Sequence, residues 1–279
     1  MIRIVTDTAS DILRHEAAAM NVDIVSLEIT FDDDPCPHAT EEDIQRFYQR
    51  LISSKNLPIT SRPSPAAYMK IIEEAKAAGD DVLILTLSSG LSGTWESAEQ
   101  AKQMAEYDRV RVVDTHQAIL TQRILVEHAV HMRREGKTLD EIADAIESMR
   151  DRVVVCGVVD TLVYLKKGGR VPASLAIIGE ALNIKPVIVL EDKILKNMGK
   201  VRGRKASLEA LVDHYVELSA GEGPIYISHA DCMADVERLK DMLRKKAGAE
   251  VDLVCDIGAV IGSHSGPGTV ALFFVGRNR

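Results

Sequence analysis

The sequence is poor in aromatic rings, with Phe, Trp and Tyr together at 4% of 279 residues. A large pocket in such a chain is expected to be walled by aliphatic side chains rather than by stacked rings. The four cysteines, Cys36, Cys156, Cys232 and Cys255, are scattered and show no C-x-x-C spacing, which argues against a zinc or dithiol motif. Cys156 and Cys255 sit in apolar strand-like runs and read as buried thiols. No apolar run approaches the ~20 residues that a membrane-spanning helix needs. The opening MIRIVTDTAS reads as the start of a strand rather than as a leader peptide. Positive charge is also not in excess: the net charge of −8 argues against a general nucleic-acid binder, which needs a basic face to displace counterions. Internal repeats and low-complexity tracts are absent. What remains is an ordinary globular chain with no nucleic-acid partner, expected in the cytoplasm.

What is present is a regular alternation. Runs rich in β-branched residues at 2–5, 22–27, 82–87, 110–113 and 153–159 read as strands. Between them, 10–20, 41–53, 65–78, 92–107 and 117–135 read as helices, and Thr138 with Glu141 makes a capping box for another. Pro65 after Ser64 marks a first helical turn. Strand–helix alternation of this kind predicts a mostly parallel α/β sheet. The second half changes rhythm. A hairpin is expected from 186–190 and 194–201, with helices at 205–219 and 233–246 and strands at 225–228, 251–256 and 270–275. The expected fold class is therefore two-domain α/β, with an N-terminal domain over 1–157, an α+β C-terminal domain over 158–279, and a ligand site in the cleft between them.

Three turn-rich segments interrupt this pattern: TSRPSP (60–65), LSSGLSGTWESA (87–98) and GAVIGSHSGPGT (258–269). The second follows a buried strand, so its hydroxyls and bare amides lie where α/β sheets bind ligands. A helix starting near Ser92 would turn that hydroxyl and its first amides toward an anion, while the plain alternative is an N-cap with glycine for the turn. No lysine follows the glycines, which weakens a nucleotide-phosphate cradle. Gly90-Leu91-Ser92-Gly93 lacks the G-x-S-x-G spacing of a hydrolase elbow, although Ser92 with His264 as base remains the alternative enzymatic reading, a serine hydrolase or acyltransferase. Lys166, Lys167 and Arg170 cluster around two glycines, and Lys200, Arg202, Arg204 and Lys205 crowd a turn. On an acidic protein these suggest either an anionic docking surface or solvated loop charge. Asp32-Asp33-Asp34, ahead of Pro35-Cys36-Pro37-His38, reads as a solvated turn rather than a metal site.

In this order and spacing, TSRPSP, SSGLSGTWESA, VYLKKGGR and IGAVIGSHSGPG closely resemble the motifs of the DegV family of bacterial fatty-acid-binding proteins, and VTDTASDI resembles the family's opening D-S-T-x-D. The resemblance spans essentially the whole chain. It implies two α/β domains with one long-chain fatty acid, such as palmitate, stearate or oleate, buried between them and no further cofactor or metal. By motif, Thr60 and Ser92 resemble the pair that binds the carboxylate, with Ser61, Gly93 and Thr94 beside them. His264 resembles the supporting histidine, and Arg202 or Arg204 the arginine near the head group. Lys166, Lys167 and Arg170 resemble the edge of a helical segment that meets a partner kinase and, transiently, the membrane. The resemblance further implies a non-catalytic carrier: a separate ATP-dependent fatty acid kinase would form the acyl phosphate.

Two hydroxyls and a histidine can satisfy a carboxylate without a permanent buried ion pair, and an aliphatic tunnel gains ~0.8 kcal/mol per buried methylene. The sequence departs from the family pattern at Arg62, where Gln is usual, and at Trp95, where Tyr is commoner. It departs again in VDTHQAILTQRILVEHA (113–129), where Thr121 and Arg123 occupy glycine positions, so different helix packing is expected there.

Overall fold

The computed structural model describes residues 1–170 and 184–277. In the first half, strands β1 (Ile2–Asp7), β2 (Val22–Val25), β3 (Glu28–Phe31), β4 (Asp34–Pro35), β5 (Ile59–Ser61), β6 (Asp81–Thr86), β7 (Val110–Asp114) and β8 (Val153–Val158) are interleaved with helices. These are α1 (Arg14–Met20), α2 (Glu41–Ser53), α3 (Pro65–Ala78), α4 (Thr94–Ala105), α5 (Ile119–Arg134) and α6 (Leu139–Met149). The rest comprises α7 (Val163–Lys167), β9 (Ile184–Glu191), β10 (Ile194–Arg202), α8 (Arg204–Leu218), β11 (Tyr226–His229), α9 (Met233–Ala247), β12 (Leu253–Asp256), α10 (Ala259–Ser265) and β13 (Val270–Val275).

Strands β2-β1-β6-β7, in that order, form a four-stranded sheet whose neighbours are all parallel. Successive side chains in a strand point to opposite faces, and here both faces are covered. Ile4, Leu83 and Leu85 pack with Leu120, Ile124, Ile142 and Ile146 of α5 and α6. Val5, Val82 and Ile84 pack with Tyr68, Ile72, Ala98 and Ala101 of α3 and α4. Burial on both faces explains why these strands read as continuous apolar runs. The expected capping box is present, with the Glu141 carboxylate accepting from the Thr138 amide at 2.8 Å and the Thr138 hydroxyl accepting from the Glu141 amide at 3.3 Å.

A six-stranded mixed sheet, in the order β10-β9-β8-β13-β11-β12, forms the other half. Strand β8 closes no parallel layer. All its residues pair antiparallel with β13, so the division expected between 157 and 158 falls inside a strand of this sheet. One face, including Val154, Cys156, Val187, Leu272 and Phe274, packs with Leu208, Leu211 and Val212 of α8 and with Val236 and Leu239 of α9. The intervening residues, Val155, Leu190, Ala271 and Phe273, turn toward the first half. The β9–β10 turn places Asp192 (φ 49°) and Lys193 (φ 72°) in the left-handed region, which is the geometry of a two-residue hairpin.

Four expectations are corrected. The helix expected from residue 10 starts at Arg14, because Asp7 caps a short turn over Thr8–Ser10 and Asp11 then turns left-handed at φ 54°. The helix expected from Ser92 starts at Thr94, with Gly93 at its N-cap. Ile59–Ser61 is a strand rather than the head of a loop. It pairs with β3 in a three-stranded antiparallel sheet, whose other hairpin turns on Asp32 (φ 50°) and Asp33 (φ 67°). Ala259–Ser265, read as a turn, is a short helix.

The atypical 113–129 segment carries its own solution. Arg123 is 9% exposed and binds Glu16 through two nitrogens at 3.0 and 2.8 Å, while its Nε donates to Glu127 at 2.8 Å. Glu127 in turn accepts from the Tyr226 hydroxyl at 2.7 Å, tying α5 to β11. A buried arginine is tolerated when its donors are matched, and removing one partner of such a network is costly. Arg123→Met, which keeps the bulk and removes the charge, is expected to lower stability in urea unfolding by roughly 2–4 kcal/mol. A loss below about 1 kcal/mol would show that the network is solvated rather than structural.

Candidate functional site

Where the six-stranded sheet faces the parallel layer, packing is incomplete and leaves a cavity. Val155, Gly157, Ile188, Leu190 and Ala271 line it from the sheet, and Leu27, Leu87, Ala118 and Ile119 line it from the first half. Ile257, Val260 and Ile261 close it from the α10 side, and Leu165 and Leu195 complete the apolar wall. Among the described residues that line it, none is Phe, Tyr or Trp. Gly157 lies between Ala271 and Ile188 in the register of β13 and β9, so two small residues keep the sheet's side of the wall low.

One part of the wall is polar. Thr60 of β5, Ser92 of the loop before α4, and His264 and Ser265 of α10 all line the cavity. The Thr60 hydroxyl and the His264 Nε2 are 2.9 Å apart. His264 is pushed down to about 4, first by burial and then by the nearby Arg170 guanidinium, so the imidazole is neutral at pH 7. Its Nδ1 is buried and has no partner among the described residues. Gly168 makes this packing possible, because a Cβ there would collide with that ring nitrogen. The Ser265 hydroxyl is likewise buried and unpartnered, a residue that sequence reasoning passed over. Its neighbour Ser263 has the same side chain but donates to the Ala259 carbonyl at 2.7 Å. The SHS triplet alone could not tell the two serines apart.

The 87–94 loop divides its hydroxyls between two tasks. Ser88 donates to the Lys193 carbonyl at 2.8 Å, and Ser89 donates to Asp114 at 2.5 Å. Lys193 closes the set with an ion pair to Asp114 at 2.9 Å, and Asp114 is held below its usual range by these donors despite its burial. Gly90 lies against the Lys193 backbone, where any Cβ would clash. This half of the loop therefore docks the β9–β10 turn. Ser92, by contrast, shares a 2.8 Å hydrogen bond with the Thr94 hydroxyl and faces the cavity. The carbonyls on either side of it are taken by arginines: Arg170 donates to Leu91 and Arg62 to Gly93, each at 3.1 Å.

The site residues expected from sequence separate accordingly. Thr60, Ser92, His264 and Arg170 line one cavity, with Gly93 and Thr94 adjoining. Ser61 is exposed and does not line it. Neither Arg202 nor Arg204 does. Arg202 is exposed at the end of β10, while Arg204 is committed elsewhere, to Asp235 at 2.8 Å and to the Gly268 carbonyl at 2.7 Å. Lys166 and Lys167 are exposed on α7, and the segment expected beyond Arg170 lies outside the described residues. The alternative Ser92–His264 pair is not formed, because the imidazole meets Thr60 and the serine meets Thr94. Among the described residues, no group of histidines, cysteines and carboxylates could hold a metal ion, and no helix is long and apolar enough to cross a membrane.

Two buried carboxyls from the opening VTDTASD brace the loops around the cavity. Asp7 accepts from the Leu87 amide at 2.7 Å and the Ala9 amide at 3.0 Å. Asp11 accepts from the Gly258 amide at 3.0 Å. Burial raises Asp7 to about 6 and Asp11 to about 7.

Comparison with known proteins gives a consistent picture. The family model described as an uncharacterised protein of the DegV family matches residues 1–277. A DegV domain-containing protein of Clostridium perfringens is 34% identical, covering 99% of this chain and 98% of its own. The structure of a fatty-acid-binding DegV family protein from Thermus thermophilus superimposes with a TM-score of 0.88 at 31% identity, covering 99% of both chains. A DegV family protein from Eubacterium eligens loaded with heptadecanoic acid superimposes with a TM-score of 0.84 at 26% identity, covering 99% of this chain and 100% of that one.

The raised carboxyls make stability depend on pH. Relative to the usual value of 3.8, the folded state holds both protons more tightly. Their contribution is complete below that value and is lost as pH rises through about 6 and about 7. Asp11→Asn, which keeps an acceptor for the Gly258 amide, should make the fall in stability across this window shallower in urea unfolding at a series of pH values. An unchanged slope would contradict the assignment.

Proposed function

The chain belongs to the DegV family, and on that footing we propose that it binds one long-chain fatty acid in the cavity between its parallel and six-stranded sheets and presents the carboxylate to a separate ATP-dependent fatty acid kinase. The observation that carries this reading is a mainly aliphatic cavity where Thr60, Ser92 and the neutral His264 come together, with the exposed Arg170 beside them. Fatty acid binding by the Thermus thermophilus relative and the heptadecanoic acid in the Eubacterium eligens relative support it. In this reading the Thr60 and Ser92 hydroxyls donate to the carboxylate. The neutral imidazole orients Thr60, and Arg170 at the rim supplies positive potential. The hydrocarbon chain lies against Val155, Ile188, Leu190 and Ala271. Burying more than a dozen methylenes at ~0.8 kcal/mol each is worth on the order of 10 kcal/mol, enough to keep the lipid out of water without a buried ion pair.

The carrier itself is non-catalytic in this reading. Phosphoryl transfer to the carboxylate belongs to the kinase, with Lys166, Lys167 and Arg170 meeting that partner and, transiently, a membrane surface, in the cytoplasm. A neutral histidine held near 4 and turned to Thr60 is a poor base for Ser92, which separates this reading from a hydrolase. The two domains clasp the lipid, and the division between them is drawn ahead of β8.

Denaturing extraction and mass spectrometry of the purified protein should return a fatty acid in about equimolar amount. Ser92→Ala should weaken binding of added palmitate by roughly tenfold, the equivalent of one charge-assisted hydrogen bond, and should lower acyl-phosphate formation by a matching kinase. No bound or bindable acyl chain would refute the proposal. Labelling of Ser92 by a fluorophosphonate would favour the hydrolase instead.

A further inference from the structure

Among the cavity-lining residues described above, Ile119 is the β-branched residue with a backbone in the left-handed region, at φ 56°. Glycine, Asn and Asp adopt that conformation far more readily, because a branched side chain crowds the backbone there. His116 is also left-handed at φ 57°, and Ala118 between them is extended. The chain thus reverses sharply as it leaves β7 for α5.

The reversal is held on every side. Thr115 donates to the Thr86 carbonyl at 2.7 Å, the Gln117 side-chain amide to the Arg150 carbonyl at 2.8 Å, and Thr121 to the Ala118 carbonyl at 2.7 Å. The Gln117 carbonyl accepts from the Ser88 amide at 2.9 Å. Strained backbone persists where its surroundings over-determine it, and such places cluster at ligand sites. Ile119 is only partly buried, and it packs beside the core while lining the cavity. From the opposite sheet, Gly157 and Ala271 add little bulk. Opposite these two small residues the facing layer presents Leu27, Leu87 and Ile119, and of these Ile119 alone has a left-handed backbone.

We propose that Ile119 is a specificity-determining residue of this cavity, its branched side chain set inward by the left-handed turn so that it limits the volume open to the hydrocarbon chain. The proposal rests on the fatty-acid reading above. A glycine at 119 would suit the backbone better, so the isoleucine serves the wall against the preference of its own turn.

The test uses the delipidated full chain and titrates myristate, palmitate, stearate, arachidate and oleate into the wild type and into Ile119→Ala, Ile119→Gly and Ile119→Phe. The Ala and Gly variants should raise the affinity for arachidate and oleate relative to palmitate by at least about fourfold, the equivalent of one buried methylene. Ile119→Phe should move the preference toward myristate. The Gly variant guards against misfolding, because glycine accepts the left-handed turn without strain, and thermal melts should show it no less stable than the Ala variant. Unchanged affinity ratios in all three variants, with the wild type binding normally, would overturn the role of Ile119. A wild type that binds none of these acids would overturn the fatty-acid reading itself, and this inference with it.

Discussion

In the proposed function, an anionic head group is held beside an apolar cavity without a buried compensating cation, and the rest of the site depends on that constraint. A desolvated ion pair costs several kcal/mol per ion before its attraction is counted, and the described residues that line the cavity include no buried cation. Thr60 and Ser92 supply hydroxyls, His264 is kept neutral by burial, and the guanidinium that influences the site, Arg170, is exposed at the rim. An uncharged patch tolerates both an occupied and an empty cavity, as the proposed carrier role requires. A buried arginine in the same place would leave an unpaired charge each time the lipid departed.

This arrangement demands exact placement of three segments far apart in the chain. Thr60 comes from the edge of a small antiparallel sheet, Ser92 from a loop at the end of a parallel strand, and His264 from a seven-residue helix. Hydrogen bonds outside the cavity fix each loop. Asp7 holds the start of the 87–94 loop, Asp11 holds the turn into α10, and the Lys193–Asp114 pair fastens the β9–β10 hairpin over the same loop. The Glu16–Arg123–Glu127–Tyr226 chain adds a further tie between the halves. Because the cavity lies between two sheets, its width depends on all of these ties at once.

Much of this was legible in the sequence, and the remainder has physical reasons. Helices such as Glu41–Ser53 and Pro65–Ala78 match their expected bounds because their caps are local. Strands buried on both faces announce themselves as apolar runs. The three-stranded sheet was not foreseen: its strands are two to four residues long, too short for a period-two pattern, and β5 pairs with β3 about thirty residues away. Arg204 was placed near the head group by motif, yet its partner Asp235 lies 31 residues on, and a cluster of positive charge does not reveal which member is already paired. Arg123 reads as a misfit where glycine is usual, and only the fold brings Glu16 to it. The serines of LSSGLSGT look equivalent in sequence, while the structure gives two of them to the hairpin and turns the third to the cavity.

The most direct test of the central claim is a crystal structure of the protein loaded with palmitate. The carboxylate should lie within hydrogen-bonding distance, about 3 Å, of both the Thr60 and Ser92 hydroxyls, with the chain running between Val155, Leu190 and Ile119. A lipid bound elsewhere, or one whose carboxylate pairs with an arginine or lysine while Thr60 and Ser92 stay unengaged, would contradict the account.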